Sequence, residues 1–245
     1  MQYAEYENMH RIEQSHFWFV AKRFFLKHAL RHANKRLDRL DVLDVGCGSG
    51  AVMEFFNQKG HRVYGVDISP TALAFCEQKG LTVKEGTATH LPFGDQSFDV
   101  VCALDVVEHI AKEEDVIREI ERVLRPGGVG IITVPAHQWL WSYHDELLGH
   151  QRRYNKKQLT DVVSPHLDIV HYSWIHATSL VPIIISRLVK KILAIRPRTS
   201  DVKPIHPAIN GIFKTLYVVE NVWYALFKAL PFGLSLIIVG KKKER

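Results

Sequence analysis

Residues 42–50, VLDVGCGSG, constrain the fold of this 245-residue chain more than any other stretch. An apolar run that ends in glycines at three alternate positions is a strand delivering bare backbone into a tight turn. Without Cβ atoms, Gly46, Gly48 and Gly50 tolerate positive φ and let a ligand approach the main chain. Helical composition resumes at residues 51–58, so the unpaired N–H groups of that helix start face whatever the turn holds. A second apolar run, VYGVDIS, contains Asp67, whose carboxylate can accept two hydrogen bonds from vicinal ribose hydroxyls. The pattern describes a ribose-bearing ligand. Gly46, Gly48 and Ala51 also satisfy the dinucleotide pattern G-x-G-x-x-G/A, which leaves the nucleoside open at this point.

Two further segments narrow it: 91–110, LPFGDQSFDVVCALDVVEHI, and 124–135, LRPGGVGIITVP. In order and spacing they resemble the seven-stranded class I S-adenosylmethionine-dependent methyltransferases, closely over residues 40–135. Within the class the chain is similar to the quinone-biosynthesis branch. HFWF, GHQRRY and PFGLSLIIVGKK resemble bacterial members of unassigned substrate. The resemblance implies S-adenosylmethionine as cofactor, held by Asp44, Gly46, Cys47, Gly48 and Gly50 of the first motif and by Asp67 as the ribose acid. Ile68, Leu104 and His109 complete the expected contacts of that core. Many relatives place an acid after the third strand for the adenine amino group, where this chain has Thr87. A hydroxyl still accepts one hydrogen bond, and the backbone of Ala88 carries more of the contact. In relatives the HFWF segment (His16, Phe17, Trp18, Phe19) folds over the cofactor as a lid, with Trp18 closing the pocket and Arg23 nearby. Plain aromatic core is the other reading of the same residues.

Strands read at Asp41–Val45, 61–67, 81–85, Phe98–Leu104, 128–134, 167–174 and 234–240. Helical segments at 51–58, 71–79 and 113–124 lie between the first five, as the right-handed crossovers of a parallel sheet require. The expected fold is therefore α/β: a Rossmann-like, seven-stranded, mostly parallel sheet with helices on both faces. That the last strand runs antiparallel between its neighbours is implied by the resemblance. Residues 17–37 have helical spacing, with cations alternating with Phe24, Phe25, Leu26 and Leu30, and should pack on the sheet. One domain is expected at this length. It divides into an N-terminal lid and helix (1–37), a cofactor-binding core (38–135), a substrate-side loop and sixth strand (136–176), an amphipathic helical insertion (177–231), and the last strand with a basic tail (232–245).

The insertion is long and apolar. It carries Arg187, Lys190, Lys191, Arg196, Arg198, Lys203, Lys214 and Lys228 against Asp201 and Glu220, a surplus equal to the chain's net charge of +6. Neither of its helical runs reaches the ~20 uninterrupted apolar residues a membrane span needs. Two readings stand: interfacial helices on an anionic membrane or around a lipid-linked acceptor, or a cap or homodimer interface buried in protein. Nucleic acid is not expected, because the cations lie among aliphatics. Cys47, Cys76 and Cys102 are separated and odd in number, which argues against a disulfide framework and fits a reducing cytoplasm. The first fifteen residues hold three glutamates and no apolar core, so no secretory signal is expected, and the location reads as cytoplasmic or at the inner membrane surface.

S-Adenosylmethionine carries an activated methyl group, so alignment of an acceptor is the main task of the protein. A hydroxyl acceptor must also lose a proton, for which a histidine near neutrality is suited. His109, in DVVEHI after the fourth strand, is the leading base, and His150 is the second. Carbon is the less favoured acceptor atom, and a carbanion or carboxylate would need no base. Asp105, Glu108 and His109 have the spacing to meet one cation if helical, and His144 with His150 is a weaker ligand pair because no carboxylate-bearing zinc signature accompanies it, so no metal is assigned. After the fifth strand, His137, Trp141, Asp145 and Tyr154 could also engage an acceptor, and Arg152 and Arg153 either grip an anion or sit as surface cations. The expected function is methyl transfer to an oxygen of a small or lipid-linked acceptor. The alternative is a non-catalytic cofactor-binding or membrane-associated regulatory module, with a nicotinamide oxidoreductase a remote third.

Overall fold

The apolar runs pair into one sheet: β1 (Asp41–Val45), β2 (Arg62–Asp67), β3 (Thr82–Glu85), β4 (Phe98–Leu104), β5 (Leu124–Pro135), β6 (Asp168–Ile175) and β7 (Ser235–Lys241). Their order is β3-β2-β1-β4-β5-β7-β6. All pairings are parallel except those of β7, which runs antiparallel to both β5 and β6. The computed structural model describes residues 3–33, 39–195, 201 and 203–243. The α/β sheet expected from the sequence is thus present, with the last strand between its neighbours.

Helices α1 (Tyr3–Ile12), α2 (Phe17–His32), α3 (Ala51–Asn57), α4 (Pro70–Gln78), α5 (Glu113–Val123), α6 (Tyr143–Leu148), α7 (Lys156–Val163), α8 (Ala177–Ile192) and α9 (Pro207–Phe227) surround it. Period-two alternation along the strands sorts the core. Leu43, Val45, Val101, Ala103, Ile132 and Val134 face α5 and α7. Val42, Val100, Cys102, Ile131, Ile237 and Val239 face α2 and α9. Both faces are covered, which is why the strands read as continuous apolar runs.

β5 begins at Leu124 rather than 128, because Leu124 already pairs with Phe98 ahead of the RPGG irregularity. The helix expected over 17–37 is described to His32, and residues 34–37 of that expectation lie outside the described residues. So do Arg196 and Arg198 of the basic insertion. Instead of hanging free, α9 packs on α2: Phe17 stacks on Phe213 at 4.6 Å, and His28 pairs with Asn221 at 2.8 Å. Glu220, buried on the inner side of α9, accepts from the backbone N–H groups of Ala177 and Thr178 and so caps the start of α8.

Candidate active site

A cavity of about 640 Å³ opens where the carboxyl ends of β1, β2 and β4 meet the helices above them. This is the crevice in which open α/β sheets bind ligands. Its two ends are built differently.

At one end lies the glycine turn after β1. Gly46 (φ +67°) sits so close to Val106 that a Cβ would come within 2.6 Å of Cγ2. Gly48 (φ +53°) has nothing within 4 Å of where a Cβ would be, so its backbone is open to the cavity it lines. Asp67 fixes this turn: Oδ2 accepts from Gly48 N at 3.0 Å and Oδ1 from Ser69 N at 2.9 Å. Each oxygen keeps a further lone pair for a ribose hydroxyl. Ile68, Thr87, Ala88, Leu104, His109 and Trp18 also line the cavity. Asp44, Cys47 and Gly50, expected among the cofactor contacts, do not; they lie behind the turn and support it. Cys47 packs with Met53, Cys76 and Leu81. A Cβ on Gly50 would strike Leu81 at 2.6 Å. Burial and the neighbouring Asp67 push the Asp44 carboxyl up to about 8. An open glycine, a carboxylate with spare lone pairs and the Thr87 hydroxyl are a donor and acceptor set that suits an adenosyl group.

The N-terminal segment closes over this end. Tyr6 and Met9 of α1 line the cavity. Glu13, buried, accepts from Ser49 Oγ of the glycine turn and from Lys79 Nζ at 2.5 Å, tying α1 to the turn. HFWF combines its two readings. All four residues line the cavity, Trp18 with its ring stacked on His176 at 3.8 Å, and Phe17 packs also against the α2–α9 core. Arg23 turns aside to Gln14.

Midway, Lys22 Nζ meets Asp105 Oδ2 at 2.5 Å, and Thr133 donates to the other oxygen at 3.0 Å. Burial pushes the Asp105 carboxyl up, but the Lys22 charge and hydrogen bond outweigh it, leaving it below its ordinary value. Both oxygens of Asp105 are thereby engaged, by Lys22 and by Thr133. Instead Glu108, His109 and His150 bring one ligand-type atom each within 4.8 Å of one another.

At the far end Glu108 is fully buried and neither carboxylate oxygen has a hydrogen-bond partner. Burial and the neighbouring Asp105 push its carboxyl well above the usual carboxylate range. His150 Nε2 is 4.0 Å from Glu108 Oε1, and its Nδ1 is 2.9 Å from Asp145 Oδ1. Asp145 is held below the usual carboxylate range despite burial by His150 and Arg153. An ionised Asp145 can only accept, so Nδ1 of His150 carries the hydrogen of that bond. The His109 ring stands edge-on to His150 at 4.8 Å. Burial and His150 push it down to about 4, so it is neutral at pH 7.

The paired arginines do not form a free grip. Arg152 is spent on Glu113 and on the carbonyls of Ile110 and Ala111. Arg153 donates to Asp145 at 2.7 Å and to the Ala136 carbonyl at 3.0 Å. His137 stacks on Trp174, and Tyr154 is buried against Glu113. Sequence reading missed Tyr6, Met9, Glu13 and Arg187. The first three recur at helical spacing along α1 and its end, a signal short enough to pass for a surface helix.

Comparison with known proteins agrees with this geometry. Residues 43–132 match the family model of a methyltransferase domain. A probable S-adenosylmethionine-dependent methyltransferase of Mycolicibacterium smegmatis is 32% identical over 127 residues, half of this chain and 49% of that protein. The ubiquinone biosynthesis O-methyltransferase of Roseobacter denitrificans is 37% identical over 98 residues, 38% of this chain and 40% of that protein. The chain thus spans about half or less of the length of these relatives. Among solved structures, a Haloferax volcanii methyltransferase in complex with an activator superposes with a TM-score of 0.62 at 21% identity, covering 99% of this chain and 95% of that one. A Galdieria sulphuraria structure described as a sarcosine dimethylglycine methyltransferase gives 0.61 at 18%, covering 92% and 87%. Residues 43–132, which hold the glycine turn and the central strands of the seven-stranded sheet, thus carry a methyltransferase domain similar to those of S-adenosylmethionine-dependent enzymes, and the cofactor is S-adenosylmethionine.

Proposed function

We propose that the chain transfers a methyl group to an oxygen of a small or lipid-linked acceptor, with a histidine taking the proton. The observation that carries this reading is the Asp145–His150 pair opening onto the cavity that the glycine turn and Asp67 also line. Bound S-adenosylmethionine supplies a methyl group on a sulfonium. Gly46, Gly48, Asp67, Thr87 and Ala88 hold its nucleoside, and Tyr6, Met9 and Trp18 exclude water above it. An acceptor hydroxyl loses its proton to Nε2 of His150, which Asp145 orients and whose charge it then balances. Neutral His109 is the second acceptor of that proton. The segments distinguished in the sequence keep these roles: lid, cofactor core, substrate-side loop and insertion.

The acceptor meets the chain at an anionic bilayer. No described helix is long and apolar enough to cross a membrane. Yet Ile185, Ile192, Ile212, Val219, Leu226 and Phe227 on α8 and α9 are all more than half exposed. Exposed Lys191, Lys203 and Lys228 flank that face, and each cation near anionic headgroups adds about 1 kcal/mol. Co-sedimentation with phosphatidylglycerol vesicles at low salt, lost at high salt, is expected. Absence of binding together with a dimer on gel filtration would give this face to a second copy. For the chemistry, calorimetry with S-adenosylhomocysteine and with NAD tests the cofactor, and tritium transfer from labelled S-adenosylmethionine into a lipid extract tests turnover. Binding of S-adenosylhomocysteine without transfer to any extract fraction would favour a regulatory module.

A further inference from the structure

α8 is a two-sided wall. Ser179, Pro182, Ile183 and Arg187 recur at three- and four-residue spacing and line the cavity. Ile185, Leu188, Val189 and Ile192 are exposed on other sides of the same helix. The charged side chain that α8 contributes to the cavity lining, Arg187, is only partly satisfied. One terminal nitrogen donates to the Leu140 carbonyl, the other lies 3.5 Å from Asp201, and Nε is buried without a partner.

The counter-charges nearby are already shared. Arg153 lines the same end of the cavity and is matched by Asp145 at 2.7 Å. Asp201 is drawn to Lys190 at 2.6 Å, closer than to Arg187. Among the described residues, Asp145 and Asp201 are thus the acids paired with the three cations Arg153, Arg187 and Lys190. Burial, then the charge of Arg153, disfavours the charged form of Arg187. A buried guanidinium with an unpaired N–H and a like charge beside it is stabilised by an anion that accepts from it. The uncharged lining here, Leu148, Pro182 and Ile183, offers apolar surface to whatever bears that anion.

We propose that this end of the cavity is a subsite for an anionic oxygen group, a phosphate or carboxylate, borne by the methyl acceptor and received by the Arg187 guanidinium that lines it. The inference rests on the methyl-transfer reading for the identity of the cavity and adds the charge class of the acceptor. A phosphate could arrive on an amphiphile or on a soluble compound, and the two sources bind differently.

The test is calorimetric, on the full chain with and without saturating S-adenosylhomocysteine. Octyl phosphate, octyl glucoside and inorganic phosphate are each titrated below micelle concentration. Octyl phosphate should bind one to one and more tightly than octyl glucoside. Arg187→Gln should weaken octyl phosphate by about tenfold, the scale of one charge-assisted hydrogen bond, with S-adenosylhomocysteine binding retained. Inorganic phosphate binding as tightly as octyl phosphate would keep the subsite and assign it to a soluble phosphorylated acceptor. Equal binding of octyl phosphate and octyl glucoside to the unaltered chain would overturn the proposal without recourse to any variant. So would an Arg187→Gln chain that melts normally and binds octyl phosphate as before. Loss of S-adenosylhomocysteine binding to the unaltered chain would instead sink the cofactor reading, and the titrations without it would still decide the subsite.

Discussion

The two ends of the cavity solve recognition by opposite means. Around Gly46, Gly48 and Asp67 the ligand meets main chain held by one carboxylate, and the side chains behind it are packed hydrophobes and small residues. Around Glu108, Asp145, His150, Arg153 and Arg187 it meets buried ionisable groups that satisfy one another only in part. The first end is fixed by backbone geometry and suits one ligand. The second is fixed by side-chain networks, which can be rewired without disturbing the sheet. On this reading the cofactor end is the shared part of the fold and the far end is where the acceptor is chosen.

The largest expected effect probes the far end alone. His150→Ala should lower kcat by roughly 10²–10⁴, the range for loss of a positioned base, and leave S-adenosylhomocysteine affinity unchanged by calorimetry. His109→Ala should have a smaller effect with the same separation. If His109→Ala abolished turnover while His150→Ala did not, the base would move to His109, and the Asp145 contact would be structural.

Next in size is the converse experiment at the cofactor end. Asp67→Ala removes acceptors for Gly48 N and Ser69 N as well as for ribose. Loss of two charge-assisted hydrogen bonds should weaken S-adenosylhomocysteine by about 100-fold. Affinity for acceptor analogues should be spared. If it fell in parallel, the two ends would be coupled rather than separately built.

A smaller effect is read in stability against pH. Burial pushes His109, His144 and His171 down to about 4 and His176 to about 3. Unfolded histidines protonate near 6.5. Between those values the unfolded chain binds more protons, so stability is full above about pH 6.5 and falls as pH drops toward 4. The melting temperature should fall by something on the order of 10 °C across that window, mainly from groups at the far end and beneath α8 and α9. A flat profile from pH 6.5 to 4 would mean these rings are solvated.

The difference between the ends also explains what the sequence disclosed. Glycine spacing, the apolar strands and Asp67 are local signals, since each motif builds its part of the site from neighbours in the chain, and the sheet order follows from crossover rules. The middle and far end depend on contacts between residues 40 or more apart: Lys22 with Asp105, His150 with Glu108, Arg187 with Leu140. Nothing in GHQRRY says that Arg152 will be spent on Glu113, or that Arg153 is taken by Asp145. Nor does the apolar periodicity of 177–231 say that α9 seals the α2 face while α8 walls the cavity. Asp105 shows the limit most plainly, because its spacing to Glu108 and His109 suggested convergence and Lys22 claimed it first.

The finest test of the comparison is Glu108→Gln. A carboxyl whose folded pKa is raised holds its proton more tightly in the fold than in the unfolded chain, which costs stability as pH rises above the unfolded value near 4.5 and nothing below it. Gln is isosteric and needs no proton, so the variant should melt a few degrees higher at pH 7, with the difference vanishing toward pH 4. Because the Gln amide N–H can donate where a carboxyl O–H would, binding of an acceptor analogue should be retained. A lower melting temperature at pH 7 would mean that Glu108 is ionised in the fold and finds its counter-charge in the chain. The far end would then be as self-sufficient as the glycine turn, with no partner left for an acceptor to supply.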